Sequence, residues 1–218
     1  MNKGDGVDEN FKSDFLSDAE RAQQKLDTVS PSFCLAKWKQ VSLHLTNGMN
    51  NSCYHPPLHR IDASKLQDDP SALHNTDHKK SMRKLMLEGV RPEECGYCWA
   101  MEDNGKLSDR HYRSGEPWAI KDYDSIIASD WDSPVLPSYV EVNFNSVCNL
   151  KCSYCFAESG GIDNSPDNVT LNDVTKYLNE FTEMGGERVA IVGAGEPFHA
   201  RNIEDTFGVL DYAKNTGL

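Results

Sequence analysis

The sequence predicts an α/β chain: about two β/α units of a parallel sheet, preceded by a small α+β metal-binding domain. Three observations carry this reading. Residues 138–218 read as strand, loop, helix, strand, helix, the order of a βαβα unit. The seven cysteines split into a set of four (Cys34, Cys53, Cys95, Cys98) and a set of three (Cys148, Cys152, Cys155). Val41, Leu43 and Leu45 alternate with polar residues and run into Asn47-Gly48, a hairpin signal because both turn positions tolerate positive φ.

The elements follow in order. Residues 1–30 form a polar tail in which Ser17-Asp-Ala-Glu20 reads as a capping box opening a short helix through about Leu26; a frayed tail is the alternative. Residues 31–113 form the metal-binding domain. Its hairpin returns the chain toward its start and brings Cys53 near Cys34. Residues 55–75 are irregular, with Pro56, Pro57 and Pro70. A helix from Asp77 to Glu88, with Met82, Leu85 and Met86 on one face, stops at Gly89 and Pro92 and delivers Cys95-Gly-Tyr-Cys98. Residues 102–137 are charged, contain Pro117, Pro134 and Pro137, and hold a linker at 114–137.

From 138 to 218 the pattern changes. Val140, Val142 and Phe144 line one face of a strand that leads into Cys148. A glycine- and aspartate-rich stretch, 159–168, precedes a helix from Thr170 to Met184 with Leu171, Val174, Tyr177, Leu178, Phe181 and Met184 as its apolar stripe. Gly185-Gly186 ends it. Arg188 to Val192 is a buried strand, 193–197 a turn, and Asn202 caps a last helix with Ile203, Phe207 and Leu210 on one side. Two such units do not close a barrel, so the core reads as incomplete at its C-terminus.

Composition narrows the function. The chain has 218 residues, 38% hydrophobic and 26% charged, with a net charge of −12. That charge argues against a nucleic-acid backbone as partner, which needs clustered Lys and Arg. No apolar run approaches the roughly 18 residues of a membrane helix, and Met1 to Asp14 lacks the apolar stretch of a signal peptide. The expected compartment is a reducing cytoplasm, where cysteines serve as ligands more often than as disulfides. Four thiolates suit a closed metal site and three an open one, because each iron of a 4Fe-4S cluster takes one thiolate. Zinc is the alternative at both sets, with His199 available as a fourth ligand beside the three.

The segment Cys148-Asn-Leu-Lys-Cys152-Ser-Tyr154-Cys155, taken with Gly195-Glu196-Pro197, resembles the radical S-adenosylmethionine (SAM) superfamily. Ala194 departs from the glycine usual there, with Gly193 just before it. The resemblance implies the N-terminal part of a partial (β/α) barrel. It also implies a 4Fe-4S cluster on Cys148, Cys152 and Cys155, and S-adenosyl-L-methionine held by Tyr154, Gly193, Gly195, Glu196 and Pro197. The implied chemistry is reductive cleavage of SAM, starting hydrogen-atom abstraction from an unidentified peptide or small molecule. An electron donor such as flavodoxin or ferredoxin would supply the reducing electron.

Phe33-Cys34-Leu-Ala-Lys-Trp38, Asn47-Gly48, Cys53, and Cys95-x2-Cys98-Trp99-x2-Glu102 with Gly105, Ser108 and Arg110 resemble the twitch domain, a shortened SPASM domain. Cys53-Tyr54 stands where that family often has two cysteines. This likeness implies an auxiliary iron–sulfur cluster on Cys34, Cys53, Cys95 and Cys98, with Trp38, Tyr54, Tyr97 and Trp99 packed around it. His55 and His59, flanking Cys53, read as surface residues, with support of the ligands or contact with a substrate as the alternative, and Glu102 with Arg110 as a pair that is either solvated or in contact with the barrel. The alternative to an enzyme is a non-catalytic iron–sulfur or zinc module, or a truncated product, with a structural or electron-relay role.

Overall fold

A computed structural model describes residues 17–44, 48–62, 64–65, 68–132, 135–143, 147–153, 171–191 and 195–218. Its centre is a five-stranded mixed sheet of β1 (Gln40–His44), β2 (Met49–Asn51), β3 (His59–Arg60), β4 (Tyr139–Asn143) and β5 (Arg188–Ile191), in the order β3-β2-β1-β4-β5. The strands β1, β4 and β5 run parallel, with Val41 beside Val140 and Val142 beside Ile191. The hairpin partner β2 and then β3 add on antiparallel. Parallel neighbours need a crossover, and here it is the helix α8 (Leu171–Glu183) between β4 and β5.

One face of the sheet is apolar. Val41, Leu43, Val140 and Val142 are fully buried beneath Leu178 and Phe181 of α8 and Val209 of α9 (Ile203–Thr216). Burying side chains of this size stabilises by about 1.5–3 kcal/mol each. The expected stripe of α8 is present at Tyr177, Leu178 and Phe181. Gly185, at φ +88°, and Gly186 end the helix, and a Cβ on Gly186 would stand 2.2 Å from the Phe181 ring.

The opposite face is polar and equally buried. Glu141 accepts hydrogen bonds from Gln40 Nε2 (3.0 Å) and from the Ser42 hydroxyl. For this reason β1 is buried on both sides, where alternation alone predicts a half-buried strand. The hairpin forms as expected, with His44 opposite Met49 and Gly48 at φ +65°; Leu45 and Asn47 lie outside the described residues.

The sheet joins segments that the sequence assigns to different domains. β1 belongs to the expected 31–113 domain and β4 to 138–218, yet five residue pairs from Gln40–Tyr139 to His44–Asn143 align in parallel. The amide of Ser138 also donates to Lys39 O at 2.9 Å. A strand with Val140 and Val142 offers an unpaired edge that Val41 and Leu43 match in register and in apolar face.

A second core lies at the N-terminal side of the sheet. Ser17 and Glu20 form the expected capping box, opening α1 (Asp18–Asp27). This helix packs closely on α5 (Asp109–Gly115), where a Cβ on Gly115 would lie 2.9 Å from Asp18 O. The expected linker 114–137 instead carries the helices α6 (Pro117–Ile120) and α7 (Tyr123–Ala128). Trp118, Ala119, Tyr123 and Ile126 bury against Leu26, Phe33, Leu35 and Trp38. Pro117 starts a helix because its missing N–H falls in the first turn, where no partner is needed.

Two further helices frame the segment of the first four cysteines after the short α2 (Ala36–Lys39). In α3 (Asp77–Leu87) the buried residues are Lys79, Arg83 and Met86, in place of the expected face of Met82, Leu85 and Met86. Lys79 Nζ donates to Gln40 O (3.1 Å) and Arg83 Nε to Lys37 O (2.9 Å), which accounts for burying two cations. The last is α4 (Gly96–Asp103). Among the described residues no helix is long and apolar enough to cross a membrane.

Candidate functional site

The three parallel strands end on the same side, where ligands of such sheets gather. Beyond β4 the chain is irregular and presents Cys148, half-buried, and Cys152, exposed. The amide of Leu150 donates to Cys148 Sγ at 3.4 Å. Tyr154 and Cys155 lie outside the described residues, as do Gly193 and Ala194.

Beyond β5 the turn of Gly195, Glu196 and Pro197 folds back on this loop. Glu196 N donates to Val147 O at 2.9 Å, so the acidic turn and the cysteine loop are joined backbone to backbone. The Glu196 carboxylate accepts from Phe198 N (2.9 Å). Asn202 stands at the start of α9, but its side chain makes no cap. Its Nδ2 donates instead to Glu196 O (2.8 Å) and to Val147 O (3.5 Å), tying both segments together from below. Thr206 Oγ1 holds Pro197 O at 2.6 Å. Asn202 and Thr206 are buried, and neither stands out in the sequence except as a capping or helix residue.

The other four cysteines line one cavity, into which Lys37 and Arg113 also reach. Cys34 comes from the turn before α2, Cys53 from just past β2, and Cys95 and Cys98 from the start of α4. The hairpin does bring Cys53 to Cys34. Burial pushes the Cys53 and Cys95 thiols up to about 12, against the pull of Lys37. Cys98 rises to about 11, also through burial, with bonds from the Arg110 amide and Ser108 opposing the rise. A metal bound here would displace protons. Among the described residues no three His, Cys, Asp or Glu side chains converge closely enough to hold one metal ion.

A clamp fixes the cavity walls. Arg110 is buried and makes two bonds to Glu102 (2.9 and 3.0 Å), one to Phe33 O (2.9 Å) and one to Asp27 (3.2 Å). It links the segment of Cys34 to the helix of Cys98, so the Glu102–Arg110 pair is interior and not solvated. Trp38 and Trp99 are buried as expected, whereas Tyr54 and Tyr97 are 50% and 53% exposed. Tyr54 bonds Asp109 (2.5 Å), and so does His55 (2.6 Å), a mostly buried ring of the cavity wall that stacks on Tyr97 at 4.1 Å. His59, half-buried, bonds Thr76 (2.7 Å) and lies against the tilted His78 ring, so it is tied into the packed structure.

Residues 142–215 match the family model described as the Radical SAM superfamily. The chain is similar to the GTP 3',8-cyclase of Pasteurella multocida (strain Pm70), at 37% identity over 60 residues, covering 27% of this chain and 18% of the relative. It is 33% identical over 60 residues to the GTP 3',8-cyclase of Haemophilus influenzae (strain PittEE), covering 27% and 18%. It is 28% identical over 81 residues to that of Paracoccus denitrificans (strain Pd 1222), covering 37% and 23%. The chain thus spans about a fifth of the length of the curated relatives it matches. No solved structure matches it. The cysteine loop and the acidic turn, joined at the ends of parallel strands, both lie within the segment that matches the Radical SAM superfamily model.

Proposed function

We propose that the chain is the part of a radical SAM enzyme that binds the cofactor and carries an auxiliary metal–sulfur domain. Cys148, Cys152 and Cys155 would hold a 4Fe-4S cluster, and the turn of Gly193, Gly195, Glu196 and Pro197, with Tyr154, would hold S-adenosyl-L-methionine. When bound, the group supplies one-electron reductive cleavage of SAM and so starts hydrogen-atom abstraction from a substrate. The chain's own residues would present the thiolates, hold the acidic turn against the cysteine loop for an ammonium group, and fix both segments through Asn202. The observation that carries this reading is the Glu196–Val147 hydrogen bond, which joins the two motifs in space.

The cavity of Cys34, Cys53, Cys95 and Cys98 is the proposed auxiliary site, at residues 31–113. A single zinc ion draws its thiolates to about 3.8 Å from one another, given Zn–S of about 2.3 Å and tetrahedral geometry. Four cysteines around a shared cavity that do not converge on one point suit a cluster, which spreads its thiolates over separate irons. Six described cysteines are free of disulfides, which suits a reducing cytoplasm with a flavodoxin- or ferredoxin-like donor. GTP, from the relatives' names, is one compound to test as substrate; a peptide or another small metabolite fits the domain pairing equally.

The test is anaerobic reconstitution followed by metal counting. The expected result is about eight iron and eight sulfide per chain, falling to about four of each in Cys148→Ala. Zinc in place of iron, or a Cys148→Ala protein with its full iron complement, contradicts the assignment.

A further inference from the structure

We propose that Lys37 is the counter-charge of the metal–thiolate group at the four-cysteine cavity and raises that group's reduction potential. This rests on the assignment of the cavity to a metal–sulfur group made above. Lys37 lies three residues after Cys34 and lines the cavity. It is 2% exposed, and its ammonium meets one carboxylate oxygen of Glu94, the residue before Cys95. The other oxygen of Glu94 bonds His78 Nε2 at 2.6 Å.

Behind Lys37 sit two more buried cations, Lys79 at 1% and Arg83 at 0% exposure. Their bonds go to neutral acceptors: Lys79 to Gln40 O, and Arg83 to Lys37 O and Asn75 Oδ1. Burial and the neighbouring cations pull the Lys79 pKa well down, so the charges that count are Lys37 and Arg83 against the one carboxylate of Glu94, which leaves one positive charge. Buried charge is retained in a fold when it is paired. Four thiolates around a metal core of charge 2+ carry net negative charge, so such a group supplies the counter-charge that is missing. Lys37 stands nearest the ligands in sequence and on the cavity wall, so of the three side chains it acts on them most directly. A fixed positive charge there favours the state with one more electron.

The experiment uses the full chain with Cys148, Cys152 and Cys155 all changed to Ala, so that the cavity holds the remaining group. After anaerobic iron and sulfide reconstitution, metal content and an EPR-monitored redox titration are compared for Lys37, Lys37→Met, Lys37→Arg and Glu94→Gln proteins. Lys37→Met should keep its iron and move the midpoint down. At the Lys37 midpoint its reduced-to-oxidised ratio should fall roughly tenfold, which is about 59 mV for one electron. Lys37→Arg should restore the midpoint, and Glu94→Gln, which removes a negative charge, should move it up. If Lys37→Met does not fold, the Glu94→Gln and Lys37→Arg proteins still decide. Iron-loaded variants that share one midpoint overturn the role of Lys37 while leaving the cavity assignment standing. A Lys37 protein that takes up no iron overturns both.

Discussion

Single residues carry the joint between the two halves of the candidate site. Asn202 donates to carbonyls on both the cysteine loop and the acidic turn, each of which also accepts a backbone N–H, and a hydrogen bond of this kind contributes about 0.5–1.5 kcal/mol. Asn202→Ala should lower stability by about that amount in urea unfolding and weaken SAM binding in equilibrium dialysis. Asn202→Asp should be worse, since it turns a carboxylate toward two carbonyl oxygens. A second residue-scale prediction concerns pH. Burial, reinforced by Lys79 and Arg83, holds His74 neutral, with its pKa pulled down from 6.5 to about 3. A folded-state pKa below the unfolded one means that stability is full above about pH 6.5 and is lost as the pH falls toward 3. Melting temperatures measured from pH 7.5 to 4 should therefore decline, and His74→Gln should flatten that decline. Neither role could be read from sequence: an asparagine before a helix signals a cap, and the burial of a histidine depends on neighbours that only the tertiary fold supplies.

Elements were legible where their signals are local. The Ser17 capping box, the β1–β2 hairpin and the apolar stripe of α8 each sit within a few residues of one another, and each is present. The face of α3 was misread because periodicity counts apolar residues, whereas the fold buries Lys79 and Arg83 by giving them acceptors on α2 and β1. The helices of 114–137 were hidden by proline, which breaks a helix interior but is compatible with a first turn. The end of α8 gives a test at this scale. Gly186→Ala drives a methyl group into the Phe181 ring, and overpacking of this kind typically costs about 1–3 kcal/mol. Chemical denaturation should show that loss, and Gly186→Ala combined with Phe181→Leu should recover part of it.

For the molecule as a whole, the sheet is the feature that sequence reading could not reach. The pairing of β1 with β4 links residues about a hundred positions apart and leaves no local trace, so the domains appear separate in sequence while their strands share hydrogen bonds. Residues 138–218 expressed alone lose β1 and expose the edge of β4 with its polar partner Glu141 unpaired. That fragment should aggregate in size-exclusion chromatography, whereas the 218-residue chain should not; a well-behaved monomeric fragment would show the β1 pairing to be dispensable. The same sheet sets the cysteine loop and the acidic turn side by side at the ends of its strands, and the cofactor assignment stands on that placement. Its most direct test is the EPR spectrum of the reduced, iron-loaded chain before and after SAM is added. The account predicts a spectrum that changes with SAM in the unmodified chain and a SAM-responsive signal that is lost in Cys148→Ala. A fully loaded chain whose spectrum is indifferent to SAM would contradict it.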